Sequence, residues 1–218
     1  MKPKIGRLHV ITDEVLQTRY SHQELAGLAT AGGADVIQLR EKRQKTTVEM
    51  MQVASKMAAD CASVGALFVV DDYVDVAAAV GAPAVHLGKN DLPTTVARRI
   101  LGDEVIIGGT ANSLDEAVQV AAGPVDYLGV GPIFGTQSKA NPAPEMGLDT
   151  LRLIVEACSV PIIAIGNITP DRVAEILATG AHGVAILSGI VCQPDPTESA
   201  RRYRSIIDST LSSGEGRA

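Results

Sequence analysis

The feature that most constrains this chain is a phrase that keeps returning: a glycine, often followed by alanine, then within a few residues a short run of aliphatic side chains. Gly33-Ala34 leads into such a run at 36–39, Gly65-Ala66 into 67–70, Gly81-Ala82 into 84–87, Gly102 into 105–107, Gly123 into 127–130 and Gly180-Ala181 into 184–187. Runs at 8–11 and 162–165 bring the total to eight. Glycine just past a helix end can adopt the left-handed backbone that stops the helix, so each phrase reads as a helix stop followed by a buried, parallel strand.

The intervening segments open with helix-start signals. Ser21-x-x-Glu24, Thr46-x-x-Glu49 and Ser113-x-x-Glu116 have capping-box spacing, and Thr169-Pro170 places proline at a first helical position. Val48, Met51, Ala54 and Cys61 recur at helical spacing and predict one apolar face. Eight strand–helix units with starts roughly 25 residues apart predict an α/β fold, a single (β/α)8 TIM barrel. It is expected to span residues 1–208, with a frayed, small and polar tail over 209–218. A doubly wound dinucleotide-binding sheet is the competitor. Its glycine fingerprint has one near match, Gly129 to Gly135, which has the wrong spacing and follows the sixth strand rather than the first.

Composition narrows the function. At 218 residues and 46% hydrophobic content, one domain can bury a sizeable core. A formal charge of -6, 3% aromatic residues and no tryptophan argue against nucleic acid, which needs a cationic surface and often stacking rings. Cys61, Cys158 and Cys192 have no paired spacing, which fits a reducing compartment without zinc. No apolar run has the length of a signal peptide or a membrane span, so a cytoplasmic protein is expected.

In such a barrel, chemistry gathers where strands end, and those positions are polar here. Alternation puts Gln38, Arg40 and Lys42 on one side, where two cations would repel unless an anion such as phosphate joined them. A surface salt bridge of Arg40 with Glu41 or Asp35 is the plain alternative. Asp72 and Asp91 follow neighbouring strands, and as hard oxygen donors they suit Mg2+. Capping of the following helices is their plain alternative. The loop Thr136-Gln137-Ser138-Lys139 can wrap an anion, and the strand ends at Gly166 and Ser188-Gly189 fit a second phosphate seat. His86 is expected to be packed or hydrogen-bonded rather than catalytic, and no hydrolytic triad is visible.

These residues also carry a resemblance. Val10-Ile11-Thr12-Asp13, Gln38-Leu39-Arg40-Glu41-Lys42, Val70-Asp71-Asp72, Val85-His86-Leu87-Gly88 with Asp91-Leu92-Pro93, the stretch from Gly129 to Lys139, and Ala164-Ile165-Gly166 occur in order. Together they resemble the thiamine phosphate synthase family, within the superfamily it shares with the thiazole tautomerase. The resemblance implies a transferase that joins hydroxymethylpyrimidine diphosphate to a thiazole phosphate. It implies Gln38, Arg40, Lys42, Asp71, Thr110 and Lys139 around the pyrimidine diphosphate, with Arg40, Lys42 and Lys139 catalytic, and Asp72 and Asp91 as Mg2+ ligands. Thr136, Gln137, Ser138, Gly166, Asn167, Leu187 and Ser188 would seat the thiazole phosphate. The implied partners are small-molecule substrates, with no nucleic acid and no membrane, in a possible homo-oligomer.

Three positions depart from the family pattern. The family usually has Asn at Asp71, Ser followed by His where Thr110-Ala111-Asn112 stand, and Gly at Asn167. Asp71 is expected to bring negative charge toward a diphosphate unless Mg2+ or a lysine offsets it, and Asn167 to add bulk at the thiazole seat. A tautomerase and a non-catalytic, ligand-binding barrel remain as rival readings. Asn112 stands where the tautomerase's catalytic His would fall.

Overall fold

The structure, a computed structural model, describes residues 2–42, 45–135 and 143–215. The strands are β1 (Leu8–Thr12), β2 (Val36–Leu39), β3 (Leu67–Asp71), β4 (Ala84–Leu87), β5 (Ile106–Ala111), β6 (Tyr127–Val130), β7 (Ile162–Ile165) and β8 (Gly183–Ile186). Each pairs in parallel with the next, and β8 closes on β1. The helices are α1 (His22–Ala31), α2 (Thr47–Ser63), α3 (Val74–Val80), α4 (Thr94–Leu101), α5 (Leu114–Ala121), α6 (Gly147–Ala157), α7 (Val173–Leu177), α8 (Ser188–Val191) and α9 (Pro196–Glu215), with a short 3-10 turn at Pro170–Arg172. The (β/α)8 barrel expected from the repeated phrase is the observed fold.

The core divides as a closed sheet requires. Side chains such as Leu8, Ile37, Phe68, Leu128 and Val184 pack outward against the helices. Ile11, Val36, Val69, Ala84, Ile106 and Tyr127 fill the barrel interior. Burying each aliphatic side chain contributes roughly 1.5–3 kcal/mol, which is why strands covered on both faces read as continuous apolar runs. Along a strand the face alternates, so Asp13, Gln38, Arg40, Asp71, His86 and Thr110 continue the inward set toward the mouth.

Local signals mostly act as expected. Ser21 with Glu24 and Thr46 with Glu49 form complete capping boxes, and Gly81 ends α3 at φ 63 in the left-handed region. Other details differ. Ser113 accepts from the Glu116 amide, but the Glu116 carboxylate accepts from the Asn112 amide, one residue before the N-cap, so no box closes. Thr169 makes no side-chain cap, and Pro170 opens only the 3-10 turn. On α2 the buried stripe is Met50, Ala54, Met57 and Cys61, while Val48 is exposed.

Strand β5 runs from Ile106 to Ala111, so the Gly108-Gly109-Thr110 strand end lies within the ladder, where its glycines make room for neighbouring side chains. A Cβ on Gly108 would collide with the Tyr127 ring and His86 Nδ1, and one on Gly109 would lie 2.7 Å from Val120. Helix α9 continues through Glu215, past the position where the sequence predicts fraying. Ser209, Thr210, Ser212 and Ser213 use their hydroxyls to donate back to helix carbonyls, a habit of small polar side chains that composition does not convey.

Candidate active site at the barrel mouth

The end of β2 is built around charge. Gln38 donates from Nε2 to Asp71 Oδ1 at 2.6 Å, and both residues are buried. Two residues on, the Arg40 guanidinium pairs with Asp13, and Asp13 Oδ1 also accepts from the Val15 and Leu16 amides. Neither Glu41 nor Asp35 is the partner of Arg40. Asp35 serves Arg204 and the amides of Arg7 and Leu8, while Glu41 pairs with Lys45 and His22. Lys42 Nζ lies 2.5 Å from Asp72 Oδ2. Burial works against the Lys42 charge, but Asp72 and Asp71 outweigh it and hold the ammonium above its usual range.

The two candidate metal ligands meet. Asp72 follows β3 with φ 67, and its amide bonds the His86 carbonyl. Asp91 Oδ2 accepts from the Gly88 amide at 2.6 Å. Burial raises the Asp91 carboxyl, and its contact with the Asp72 side chain raises it further. Neither caps a helix: α3 and α4 begin after Tyr73 and Pro93 without a side-chain cap. Two hard oxygen donors in contact form a pair that suits a divalent cation.

Asp71 is buried beside Asp72 and Lys42. Burial, then the neighbouring Asp72, push its carboxyl up to about 7, although Lys42, Arg40 and Gln38 oppose the shift. Near neutral pH it is therefore divided between acid and carboxylate. In its protonated form it carries no charge toward a bound anion and can donate a proton, as a carboxamide does.

The other side of the mouth is shaped by backbone. Gly166 has φ 111, and a Cβ there would lie 2.6 Å from Pro132. Asn167, at φ 46, donates from Nδ2 to the Phe134 carbonyl at 3.2 Å, and Arg172 donates to the Asn167 carbonyl at 2.9 Å. The Arg172 guanidinium stacks 4.3 Å from the Phe134 ring centroid. The Asn167 amide is thus committed to the loop after β6. A cavity of about 340 Å3 is lined by Gly166, Asn167, Leu187, Ser188 and Gly189, and Arg40 also lines it.

Arg40 therefore joins the two halves. Its charge is felt by Lys42 and Asp71, and its side chain borders the β7–β8 cavity. Thr110 joins the interior through His86, whose Nε2 lies 2.9 Å from Thr110 Oγ1. Thr136, Gln137, Ser138 and Lys139 lie outside the described residues.

A family model described as thiamine monophosphate synthase matches residues 8–190. The chain belongs to this family. It is 46% identical over 207 residues to the thiamine-phosphate synthase of Salinibacter ruber, covering 95% of this chain and 91% of the relative. Identity to the thiamine-phosphate synthase of Methanocella arvoryzae is 42%, covering 95% of this chain and 97% of the relative. The solved thiamine phosphate pyrophosphorylase from Pyrococcus furiosus superposes with a TM-score of 0.86 at 38% identity, covering 94% of this chain and 96% of that one. A 3-hexulose-6-phosphate synthase, at TM-score 0.68 and 18% identity, shares the fold.

Within this member of the thiamine monophosphate synthase family, sequence reasoning missed the groups that hold the site residues in place. Asp13 anchors Arg40. In the segments that follow β1 and β2, Lys45 Nζ pairs with Glu41 and lies 2.8 Å from Glu14 Oε2, while His22 Nε2 lies 3.3 Å from Glu41 Oε2. Glu14, His22 and Glu41 are close enough together to hold a metal, but Lys45 already supplies a cation against both carboxylates. Burial keeps the His22 imidazole below its ordinary value despite Glu14 and Glu41. Asp13 was legible as a charge just past a strand end; the partners around Glu41 come from separate segments and carried no such signal.

Among the described residues, no helix is long and apolar enough to cross a membrane.

Proposed function

We propose that the protein is a thiamine-phosphate synthase, a transferase that condenses hydroxymethylpyrimidine diphosphate with a thiazole phosphate to give thiamine phosphate and diphosphate. One observation carries this reading: Arg40 belongs both to the Lys42–Asp71–Asp72–Asp91 charge cluster and to the β7–β8 cavity. Adjoining anion seats are what a reaction between two phosphorylated halves requires.

Asp72 and Asp91 would hold Mg2+, which when bound neutralises charge building on the diphosphate leaving group. Arg40 and Lys42 share that task as fixed cations, joined by Lys139, and Gln38, Asp71 and Thr110 line the same seat. The bond from the pyrimidine methylene to diphosphate then ionises without a protein nucleophile. The aminopyrimidine spreads the positive charge, and the thiazole nitrogen captures it. Thr136, Gln137, Ser138, Gly166, Asn167, Leu187 and Ser188 hold the thiazole phosphate, so positioning supplies much of the remaining rate.

Asn112 speaks against tautomerase chemistry, since an amide is no proton acceptor at carbon and its Nδ2 is engaged by the Gly131 carbonyl. Free cysteines at 61, 158 and 192 and phosphorylated substrates support a cytoplasmic setting. Purified protein incubated with both halves and Mg2+ is expected to form thiamine phosphate, and chelation is expected to stop it. A folded protein that forms none with any thiazole phosphate would sink the reading.

A further inference from the structure

Below the mouth, the barrel interior holds a histidine–tyrosine pair that the proposed reaction leaves without a task. Tyr127 on β6 is 1% exposed, and its hydroxyl lies 3.1 Å from His86 Nδ1, its one hydrogen-bond partner among the described residues. The other ring nitrogen, His86 Nε2, lies 2.9 Å from Thr110 Oγ1. The space is built for the pair: a Cβ on Gly108 would collide with Tyr127 and His86, and one on Gly129 would lie 3.0 Å from the His86 ring.

Donor accounting gives this line a direction. A buried hydroxyl proton without an acceptor is strongly unfavourable, so Tyr127 donates to Nδ1. Burial raises the phenol far above its ordinary range, which keeps that proton in place. An imidazole whose Nδ1 accepts carries its proton on Nε2, and Nε2–H then donates to Thr110 Oγ1. The Thr110 oxygen is thereby used as an acceptor, and its own proton is left for a partner at the mouth. The opposite tautomer would take the Thr110 proton inward and turn oxygen lone pairs toward an anion.

We propose that Tyr127 and His86 are positioning residues that orient the Thr110 hydroxyl as a hydrogen-bond donor to a phosphate oxygen of the ligand at the mouth. The catalytic part of this proposal rests on the placement of Thr110 beside the diphosphate; the tautomer does not.

The tautomer is read first, by 15N NMR of labelled full-length protein without substrates. His86 is expected to show a bare Nδ1 and a protonated Nε2, and the reverse assignment would overturn the proposal. Inorganic diphosphate with Mg2+ is the second probe, measured by calorimetry. Thr110→Val is expected to weaken its binding about tenfold, Thr110→Ser to restore most of it, and Tyr127→Phe to weaken it roughly threefold to tenfold. In the Thr110→Val background, Tyr127→Phe should add nothing, because its effect passes through the hydroxyl already removed. An undiminished further loss there, or unchanged diphosphate binding in Thr110→Val, would also overturn it. Because these readouts do not need turnover, absence of thiamine phosphate with the expected tautomer and binding would count against the synthase reading alone.

Discussion

The β2–β4 side of the barrel mouth and the β7–β8 side reach similar ends by different means. On the first, side chains do the holding: Asp13 on Arg40, Asp72 on Lys42, Gln38 on Asp71. On the second, backbone shape does more of it, with Gly166 at φ 111 against Pro132 and Asn167 at φ 46, helped by the Asn167 side chain bonding the Phe134 carbonyl. The difference teaches that a substitution should act on chemistry on one side and on the fold on the other.

The largest test of this contrast is Asp72→Asn. It is expected to lower kcat/KM by about 10²–10³-fold, while Asn tolerates the left-handed backbone at that position and keeps Tm within a few degrees. Steady-state kinetics and thermal unfolding of one sample decide it, and a collapse in Tm would show that the charged side is structural after all. Gly166→Ala should do the opposite. Its strained φ and the approach to Pro132 are expected to destabilise the protein by about 2–4 kcal/mol, seen as a Tm lower by several degrees. If the variant melts like the parent, the backbone side is less tightly determined than its geometry says.

Lys45→Met sharpens the comparison from the segment after β2. It removes the Lys45 ammonium that Glu14 and the buried Glu41 share. Because Lys45 is 20% exposed, the cost should be about 1–3 kcal/mol in denaturant unfolding rather than the full penalty of a broken buried pair. The smallest effect is expected from Asp71→Asn, and it depends on pH. The folded-state pKa of Asp71 is raised to about 7, so between its ordinary value and 7 the native state binds more protons than the unfolded chain. Stability of the parent should therefore fall as pH rises through that window, and the variant should lose this part of the slope. Diphosphate should bind the variant a few-fold more tightly at pH 8 and about equally at pH 5; equal binding at both would mean that the Asp71 charge is not felt by the ligand.

Much of the architecture was open to reading because it is local. Capping at Ser21 and Thr46, the helix stop at Gly81 and the apolar runs of the strands depend on residues a few positions apart. Errors fell where that locality fails. Gly108 and Gly109 follow the apolar run in sequence without showing why they are small; in the fold Tyr127 and His86 fill the space beside Gly108, and Val120 packs close to Gly109. Val48 fits a helical stripe whose buried face is in fact centred on Met50, Ala54, Met57 and Cys61.

By itself, then, the order of residues determined an eightfold parallel barrel and marked its polar strand ends, since periodicity and turn chemistry act between near neighbours along the chain. Only the folded molecule decided that Arg40 answers to Asp13, that burial beside Asp72 raises the Asp71 carboxyl, and that Tyr127, His86 and Thr110 form one line. Those outcomes depend on distance, burial and donor direction between groups brought together from different strands, and such quantities come into being only when the barrel closes.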